Sequence, residues 1–301
     1  MSSALAELAH ALAGRRAPDG GFAAVPDGPA DTESTALAAL ATRASAPDGA
    51  RASLDWLLVR QRPDGAFPHT DAVPEPSWAT AWAALALVRG EAGAEPLVRA
   101  AHWLVAREGR RPGLVARALG RLTGQQTRLE QDRTLRGWPW HAAAASWVEP
   151  TAAALLALRA LAGEAPVSGA RERIAEGERL LWDRACVGGG WNYGNRRVLG
   201  EALAPFPDTT ALALLALQGS ARADGLAEGC ATLGALLDER ASCLALALGA
   251  LALELHARDA GALRTRLAAR IEAAGPPAET RSLAFALLAL GGGARLLRVP
   301  A

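Results

Sequence analysis

Apolar positions along the chain fall into two kinds of helical segment. In the first kind, Ala and Leu fill nearly every face; these segments are 81–88, 152–158, 211–217 and 283–290. In the second kind Arg and Glu occupy one face, as in 171–184 and 263–271. A helix that is apolar all round is buried on every side, whereas a helix with one polar face is half solvated. The pattern therefore predicts paired helices, one inner and one outer in each pair.

Two short motifs recur with these helices. One is a glycine-containing turn closed by an aromatic residue, at Phe22, Phe67 and Trp191, with a delayed version at Trp138. The other is a Thr-Ala pair that opens the apolar helix; its threonines are Thr35, Thr80, Thr151 and Thr210. Glycine suits such turns because it adopts positive φ without a steric penalty. Units of roughly 50 residues predict about six helical hairpins, enough to close a ring.

The hairpins are expected to form one domain over residues 1–301. The third unit departs from the others, and we interpret residues near 108–136 as an inserted segment. The fifth and sixth units lack the aromatic turn. Ala and Leu dominate while β-branched residues are few, which favours an all-α fold.

Charge and cysteine content exclude several classes of protein. The 32 basic residues are all arginine and balance 31 acidic ones, so a nucleic-acid partner is not indicated. Without lysine, the chain has no Schiff-base or P-loop lysine. Its three cysteines are scattered and support neither a disulfide framework nor a zinc ribbon. The apolar run 241–253 is too short to cross a bilayer, so we expect a cytoplasmic protein without a transmembrane segment. Peripheral membrane contact and a partner subunit stay open.

The turns carry a resemblance to a known superfamily. Gln61, Gly65 and Phe67 are spaced as in the Q-x3-G-x-W repeat of squalene-hopene cyclases, to which this turn is similar. Residues 189–191, followed by 208–211, resemble a unit of the α/α toroids found in triterpene cyclases and protein prenyltransferase β subunits. The resemblance implies a single α/α toroid of about six hairpins with an inner and an outer ring. It also implies a terpene-cyclase-like enzyme acting on a hydrophobic isoprenoid substrate in a central cavity.

Carboxylates at the helix starts are the candidate acids. The resembled cyclases carry D-x-D-D-T-A, and alignment on Thr-Ala places Asp208, Glu149 and Glu33 at the middle, proton-donating position. Protonating an alkene needs a carboxylic acid that stays protonated in a dry pocket. A carboxylate at a helix start is ordinarily a cap with a lowered pKa. However, three carboxylates desolvated together raise each other's pKa. We take Asp208 as the principal candidate.

Aromatic residues gather in the turns and first helical turns, which lie at one end of the predicted ring. Aromatic faces stabilise carbocations, so these residues are candidates for substrate contact. They are Trp78, Trp82, Trp138, Trp140, Trp147, Trp191, Tyr193 and Phe206. The alternative is that they wedge adjacent hairpins together. Trp78, Trp82, Trp147 and Tyr193 favour substrate contact, because they lie outside the aromatic position of the repeat.

A second interpretation follows the prenyltransferases, which hold zinc through Asp-x-Cys and a later His. Here Asp208 fits, but Thr210 replaces the cysteine and Glu279 stands near the place of the histidine. We therefore expect no zinc and no other cofactor.

Arg196 and Arg197 precede Asp208 as a diphosphate-binding stretch would, and guanidinium groups grip phosphate in bidentate fashion. A diphosphate substrate would bring Mg²⁺ with it. Three functions stay open: an isoprenoid cyclase, a zinc-free transferase or cyclase of prenyl diphosphates, and a noncatalytic toroid that binds an isoprenoid or a protein.

Overall fold

The computed structural model describes residues 3–113 and 130–300, which fold almost entirely into helices. The helices in this part of the chain are α1 Ser3–Ala13, α2 Thr32–Thr42, α3 Pro47–Arg60, α4 Thr80–Arg89, α5 Ala94–Ala106, α6 Val148–Leu161, α7 Ala170–Asp183, α8 Pro207–Ala216, α9 Ala223–Leu236, α10 Cys243–Leu255, α11 Gly261–Ala274 and α12 Thr280–Leu290. A 3-10 helix, Gly293–Leu297, follows them. Most of the inserted segment predicted near 108–136 lies outside the described residues.

The even-numbered helices form a closed inner ring. Each of them packs against the next, and α12 packs against α2. Every residue of α6 is buried, whereas its outer neighbour α7 buries one face only. The remaining odd-numbered helices lie around the ring in the same way. The predicted all-α toroid of six hairpins, with an inner and an outer ring, is confirmed.

Three short antiparallel hairpins lie in the connections from an outer helix to the following inner helix. Their strands are β1 Phe22–Ala23 with β2 Ala30–Asp31, β3 Pro68–Thr70 with β4 Val73–Pro76, and β5 Arg197–Val198 with β6 Glu201–Ala202. They therefore lie at the end of the ring where the inner helices begin, which we call the mouth. The opposite end is the rear.

One hydrogen bond explains why the two sequence motifs recur together. In each of four units, the backbone N–H of the aromatic turn residue donates to the threonine hydroxyl that opens the inner helix. The pairs are Phe22 to Thr35, Phe67 to Thr80, Trp138 to Thr151 and Trp191 to Thr210, at 2.9–3.0 Å. These groups are buried, and a buried donor without a partner is costly. The aromatic turn and the Thr-Ala pair are thus two halves of one tertiary contact.

The first and last units are joined directly. The Thr280 hydroxyl donates to the carbonyl of Ala23 at 2.6 Å, and the Thr280 backbone N–H donates to Ala24 at 2.8 Å. The Arg15 guanidinium donates to the carbonyl of Ala278 at 2.9 Å. The last inner helix therefore uses its threonine to close the ring.

Thr280→Val is expected to lower the free energy of unfolding by about 1–2 kcal/mol, because it leaves the buried Ala23 carbonyl unpaired. Urea unfolding followed by circular dichroism measures the change. Thr265→Val is the matched control, since its exposed hydroxyl bonds only to Gly261 of its own helix. Equal effects of the two substitutions would contradict a role for Thr280 in closing the ring.

The C-terminal segment crosses the rear of the inner ring. Gln218, just after α8, donates from its side chain to the carbonyl of Leu297 at 2.9 Å. Arg89 of α4 donates to Leu296 at 2.8 Å, and Arg159 of α6 donates to the carbonyl of Gln218. The rear is therefore tied together by side chains of the inner helices that donate to backbone carbonyls.

Within residues 3–113 and 130–300, every helix is too short or too polar to cross a membrane.

Candidate functional site

The residue two positions before the recurring threonine points toward the same place in several units. At this position stand Glu33 in α2, Trp78 just before α4, Glu149 in α6 and Asp208 in α8. The ring arrangement repeats this position around the mouth. All three carboxylates interact electrostatically with Arg281. The structure therefore brings together the three acids that the sequence alignment selected.

Arg281 connects opposite sides of the mouth. Its guanidinium pairs with Glu33 of the neighbouring helix α2 at 3.4 Å, and also with Glu149 of α6. Because α6 and α12 lie three steps apart in a ring of six, the pair with Glu149 spans the mouth. We call Glu33, Glu149, Arg281 and Trp78 the mouth cluster.

The mouth cluster is largely withdrawn from water. Exposed fractions of the side chains are 14% for Glu33, 10% for Glu149 and 22% for Arg281. Burial raises the pKa of Glu33; Arg281 opposes this rise, while Glu149 and Asp31 add to it. Burial alone would lower the pKa of Arg281, but Glu33 and Glu149 more than compensate and raise it. Glu33 is thus a carboxylic acid that keeps its proton more readily than an ordinary glutamate, beside a permanent cation.

Aromatic side chains border the mouth cluster. Trp78 stacks on His69 with ring centroids 4.8 Å apart. The rings of Trp78 and Trp140 make a T-shaped contact with centroids 5.2 Å apart. Trp82, one turn deeper in α4, meets Phe285 of α12 at 5.7 Å. Both of these deeper rings are fully buried. Trp82 and Phe285 thus lie inside the ring, and Trp78 is the indole beside Glu33.

Asp208 lies at the edge of the mouth, beside an apolar crevice. It is half-buried, and its charge raises the pKa of the Tyr193 hydroxyl. The ring centroids of Tyr193 and Phe206 are 5.4 Å apart. With Trp147 and Leu203 these rings line a crevice of about 270 Å³. The site therefore has two parts, a charged cluster and an adjoining apolar crevice.

Two of the predicted contact residues, Trp138 and Trp191, serve packing instead. Their indole N–H groups donate to the carbonyls of Leu104 and Leu181, and both side chains are buried. Glycines of the outer helices make room for them: a Cβ on Gly177 would lie 2.8 Å from the Trp138 ring, and one on Gly229 would lie 3.0 Å from the Trp191 ring. These two indoles wedge neighbouring hairpins together, so we leave them out of the candidate site.

The two arginines predicted to hold a phosphate have different surroundings. Arg197 pairs with Glu130 at 3.2 Å and donates to the carbonyl of Gly200 at 3.1 Å. Arg196 lies near the buried thiol of Cys186, where its charge opposes the rise in the thiol pKa that burial causes. Arg197 is thus committed to protein partners, and a phosphate role for the pair stays a prediction.

Among residues 3–113 and 130–300, no three His, Cys, Asp or Glu side chains lie together in a geometry that could hold a metal ion.

Sequence reasoning missed Arg281. It was one arginine among 32, in a unit without the aromatic turn. One signal was present: four inner helices open with Thr-Ala, whereas the last opens with Thr280 and Arg281. A charged residue in place of a small one, at the start of an otherwise apolar helix, marks a position that faces other charges.

No family model matches the sequence, and no curated protein matches it. Solved structures do resemble it. A protein from Actinoplanes is 19% identical over 97% of this chain and 99% of its own, with a TM-score of 0.60. An inactive variant of the α-1,6-mannanase GH76A of Salegentibacter sp. HEL1_6, in complex with α-1,6-mannotriose, is 10% identical over 97% and 98%, with a TM-score of 0.58.

A third similar structure is a variant of the type II terpene cyclase MstE from Scytonema, in complex with geranylgeranyl dihydroxybenzoate. It is 15% identical over 97% of this chain and 99% of its own, with a TM-score of 0.58. Similarity at these identities concerns the fold, and one fold hosts unrelated chemistries. The chain therefore shares the α/α toroid fold with a terpene cyclase and with glycosidases.

Proposed function

We propose that this protein is a terpene-cyclase-like enzyme in which Glu33 protonates an isoprenoid substrate at the mouth of the ring. The observation that carries the proposal is the state of Glu33: a buried carboxyl with a raised pKa, beside Trp78 and paired with Arg281. A general acid must hold its proton until the substrate is in place, and burial supplies this property. The similarity to a type II terpene cyclase is consistent with the same chemistry.

Glu33 is a better acid than Asp208 for a local reason. The side chain of Asp31 accepts a hydrogen bond from the Ser34 backbone N–H at 2.8 Å and so caps α2. A carboxylate that caps a helix is held in its ionised form by the hydrogen bonds it accepts. In α2 this role belongs to Asp31 and not to Glu33. Glu33, two residues later, does not cap the helix and instead pairs with Arg281 in the mouth cluster. Asp208 is half-buried at the edge of the mouth, where water solvates its charge.

The proposed step transfers the proton of the Glu33 O–H to one carbon of an alkene. A C–H bond forms, the adjacent carbon becomes cationic, and Glu33 is left as a carboxylate next to Arg281. Trp78 lies beside Glu33, with Trp140 against it, and the faces of these indoles would stabilise this charge. The apolar crevice at Trp147, Tyr193 and Phe206 is suited to the remainder of the chain.

A second candidate function is glycoside hydrolysis. Glu33 and Glu149 face one guanidinium from two sides, and glycosidases use a pair of carboxyl groups of which one is protonated. A mannanase shares the fold. In this case Trp78 would stack on a sugar ring.

Glu33→Gln tests the proposal, because it keeps the size of the side chain and removes the acidic proton. Incubation with squalene, farnesyl and geranylgeranyl compounds, analysed by mass spectrometry, is expected to show conversion by the parent protein. The variant is expected to lose activity by about 100-fold or more. Asp208→Asn is the matched control and should lose much less. Full activity of Glu33→Gln would refute its role, and hydrolysis of an α-mannoside without isoprenoid conversion would favour the second candidate.

A further inference from the structure

A second crevice lies at the rear of the ring, at the opposite end from the mouth cluster. It has a volume of about 280 Å³ and lies between α1, the end of α2 and the end of α12. Alanine and leucine side chains of these three helices form most of its wall; they are Leu5, Ala9, Leu40, Ala41, Leu287 and Leu288. A concave apolar site of this kind can enclose most of a small ligand. We call it the rear crevice.

The rear crevice is recessed, and the surface around it does not resemble a protein interface. Its leucines Leu40, Leu287 and Leu288 are buried, so they form a wall without projecting from the surface. In the described part of the chain, the exposed large apolar side chains lie instead in the connections at the mouth or within one turn of them; they are Val25, Val59, Val73, Val187, Tyr193, Leu199, Leu203 and Phe206. A stable protein partner needs about 800 Å² of surface on each side. The rear crevice therefore suits a small molecule better than a protein.

Among the described residues that line the rear crevice, Arg295 is the charged one. It lies in the 3-10 helix after α12, is exposed, and makes no ion pair or side-chain hydrogen bond. Other arginines at the rear are engaged with the protein. Arg43 pairs with Glu91 at 2.6 Å, and Arg89 donates to the carbonyl of Leu296 at 2.8 Å. Arg295 thus offers a guanidinium without a protein partner at the edge of an apolar crevice.

The lining and this single cation together restrict the class of ligand. Alanine and leucine walls favour an aliphatic chain, because burial of each methylene group is favourable. A guanidinium donates two parallel hydrogen bonds to a carboxylate. The carboxylate carries one negative charge, which one guanidinium balances, whereas a phosphate monoester carries about −1.5 to −2. Ser45 adds a hydroxyl group to the same lining, and a hydroxyl can donate to a carboxylate oxygen.

We propose that the rear crevice binds an aliphatic carboxylate, with its chain between α1, α2 and α12 and its carboxylate paired with Arg295. The ligand is held by the protein without a chemical change. This site is separate from the mouth cluster, so the inference does not depend on the function proposed for the mouth.

Three ligands test the class of molecule that binds. Decanoate and decyltrimethylammonium have the same chain and opposite charges, and butyrate has the head group of decanoate on a shorter chain. Isothermal titration calorimetry on the full chain is expected to give a Kd for decanoate at least about 10-fold lower than for decyltrimethylammonium, because Arg295 attracts one and repels the other. The Kd for butyrate should be at least about 30-fold higher than for decanoate. Equal binding of the two decyl compounds, or no binding of decanoate, would overturn the proposal.

Two pairs of variants test where decanoate binds. Ala44 is exposed after α2 and lines the rear crevice, so Ala44→Phe should obstruct it and raise the Kd for decanoate at least about 10-fold. Ala162→Phe is the matched control, since Ala162 is exposed after α6 at the rear and lies outside the lining.

Arg295→Gln should raise the Kd for decanoate by about 3- to 5-fold, as expected for an exposed charge pair, and should not weaken binding of decyltrimethylammonium. Arg240→Gln, at an exposed arginine between α9 and α10, should change neither Kd. Circular dichroism verifies that the variants fold. An unchanged Kd for decanoate in Ala44→Phe would place the ligand elsewhere and overturn the proposal. Equal effects of Arg295→Gln and Arg240→Gln would overturn it as well.

Discussion

Arg281→Met is expected to lower the free energy of unfolding by about 3–5 kcal/mol at pH 7, because it leaves Glu33 and Glu149 buried without a counter-charge. The methionine fills a similar volume, so the loss reports charge more than packing. Urea unfolding at several pH values measures it. The effect is large because Arg281 is the cation that both carboxylates share.

The pH dependence of this loss has a definite sign. The pKa of Glu33 is already raised above its ordinary value of 4.5, and removal of Arg281 raises it further. A group whose pKa is raised by folding opposes the folded state when it ionises. The loss of unfolding free energy in Arg281→Met is therefore small at a pH below the ordinary glutamate pKa. It grows as the pH rises through the raised pKa of Glu33.

Two controls separate charge from packing. Adding Glu33→Gln and Glu149→Gln to Arg281→Met removes the unpaired charges and should restore much of the lost stability. Arg43→Met breaks an exposed pair, in which the Glu91 side chain is 82% exposed, and should change stability by less than about 1 kcal/mol. A loss in Arg281→Met that is the same at all pH values would show that the guanidinium acts by packing alone.

The fold was predictable because each unit repeats the same physical signal. Segments such as 81–88 are apolar on every face, and such a helix is buried on every side. Helix starts were less predictable. α2 begins at Thr32, ahead of the recurring Thr35, because the Asp31 side chain caps it. The repeat fixes which helix lies inside, while local capping sets its first residue.

The candidate site was predictable in part. Alignment on the recurring threonine selected Glu33, Glu149 and Asp208, and equivalent positions in a closed ring face one centre. The same alignment shows Arg281 in place of the usual alanine, but it does not show the pairing of Arg281, which joins the first, third and sixth units. The sequence also could not distinguish aromatic residues that line the candidate site from those that pack between neighbouring hairpins. Trp138 is a wedge because Gly177, on another helix, gives it room.

Gly65→Ala is expected to lower the free energy of unfolding by about 3 kcal/mol or more, because the recurring turn touches the backbone of the next outer helix. Gly65 has φ of +89°, and a Cβ there would lie 2.1 Å from the carbonyl oxygen of Arg99 in α5. A helical carbonyl cannot rotate away without losing its own hydrogen bond. Thermal unfolding followed by circular dichroism measures the loss as a lowered Tm.

Gly163→Ala is the control for the effect of an added methyl group. Gly163 is exposed after α6, and a Cβ there would have no neighbour within 4 Å, so we expect little change in Tm. Gly20 occupies the equivalent turn of the first unit, where a Cβ would lie 2.7 Å from the carbonyl oxygen of Ala52. If Gly20→Ala lowers the Tm by less than Gly65→Ala but more than Gly163→Ala, the loss of stability depends on how closely the added Cβ approaches the neighbouring backbone. If Gly65→Ala were tolerated as well as Gly163→Ala, the turn would have to move freely against α5, and the repeated glycine would need another explanation than close approach.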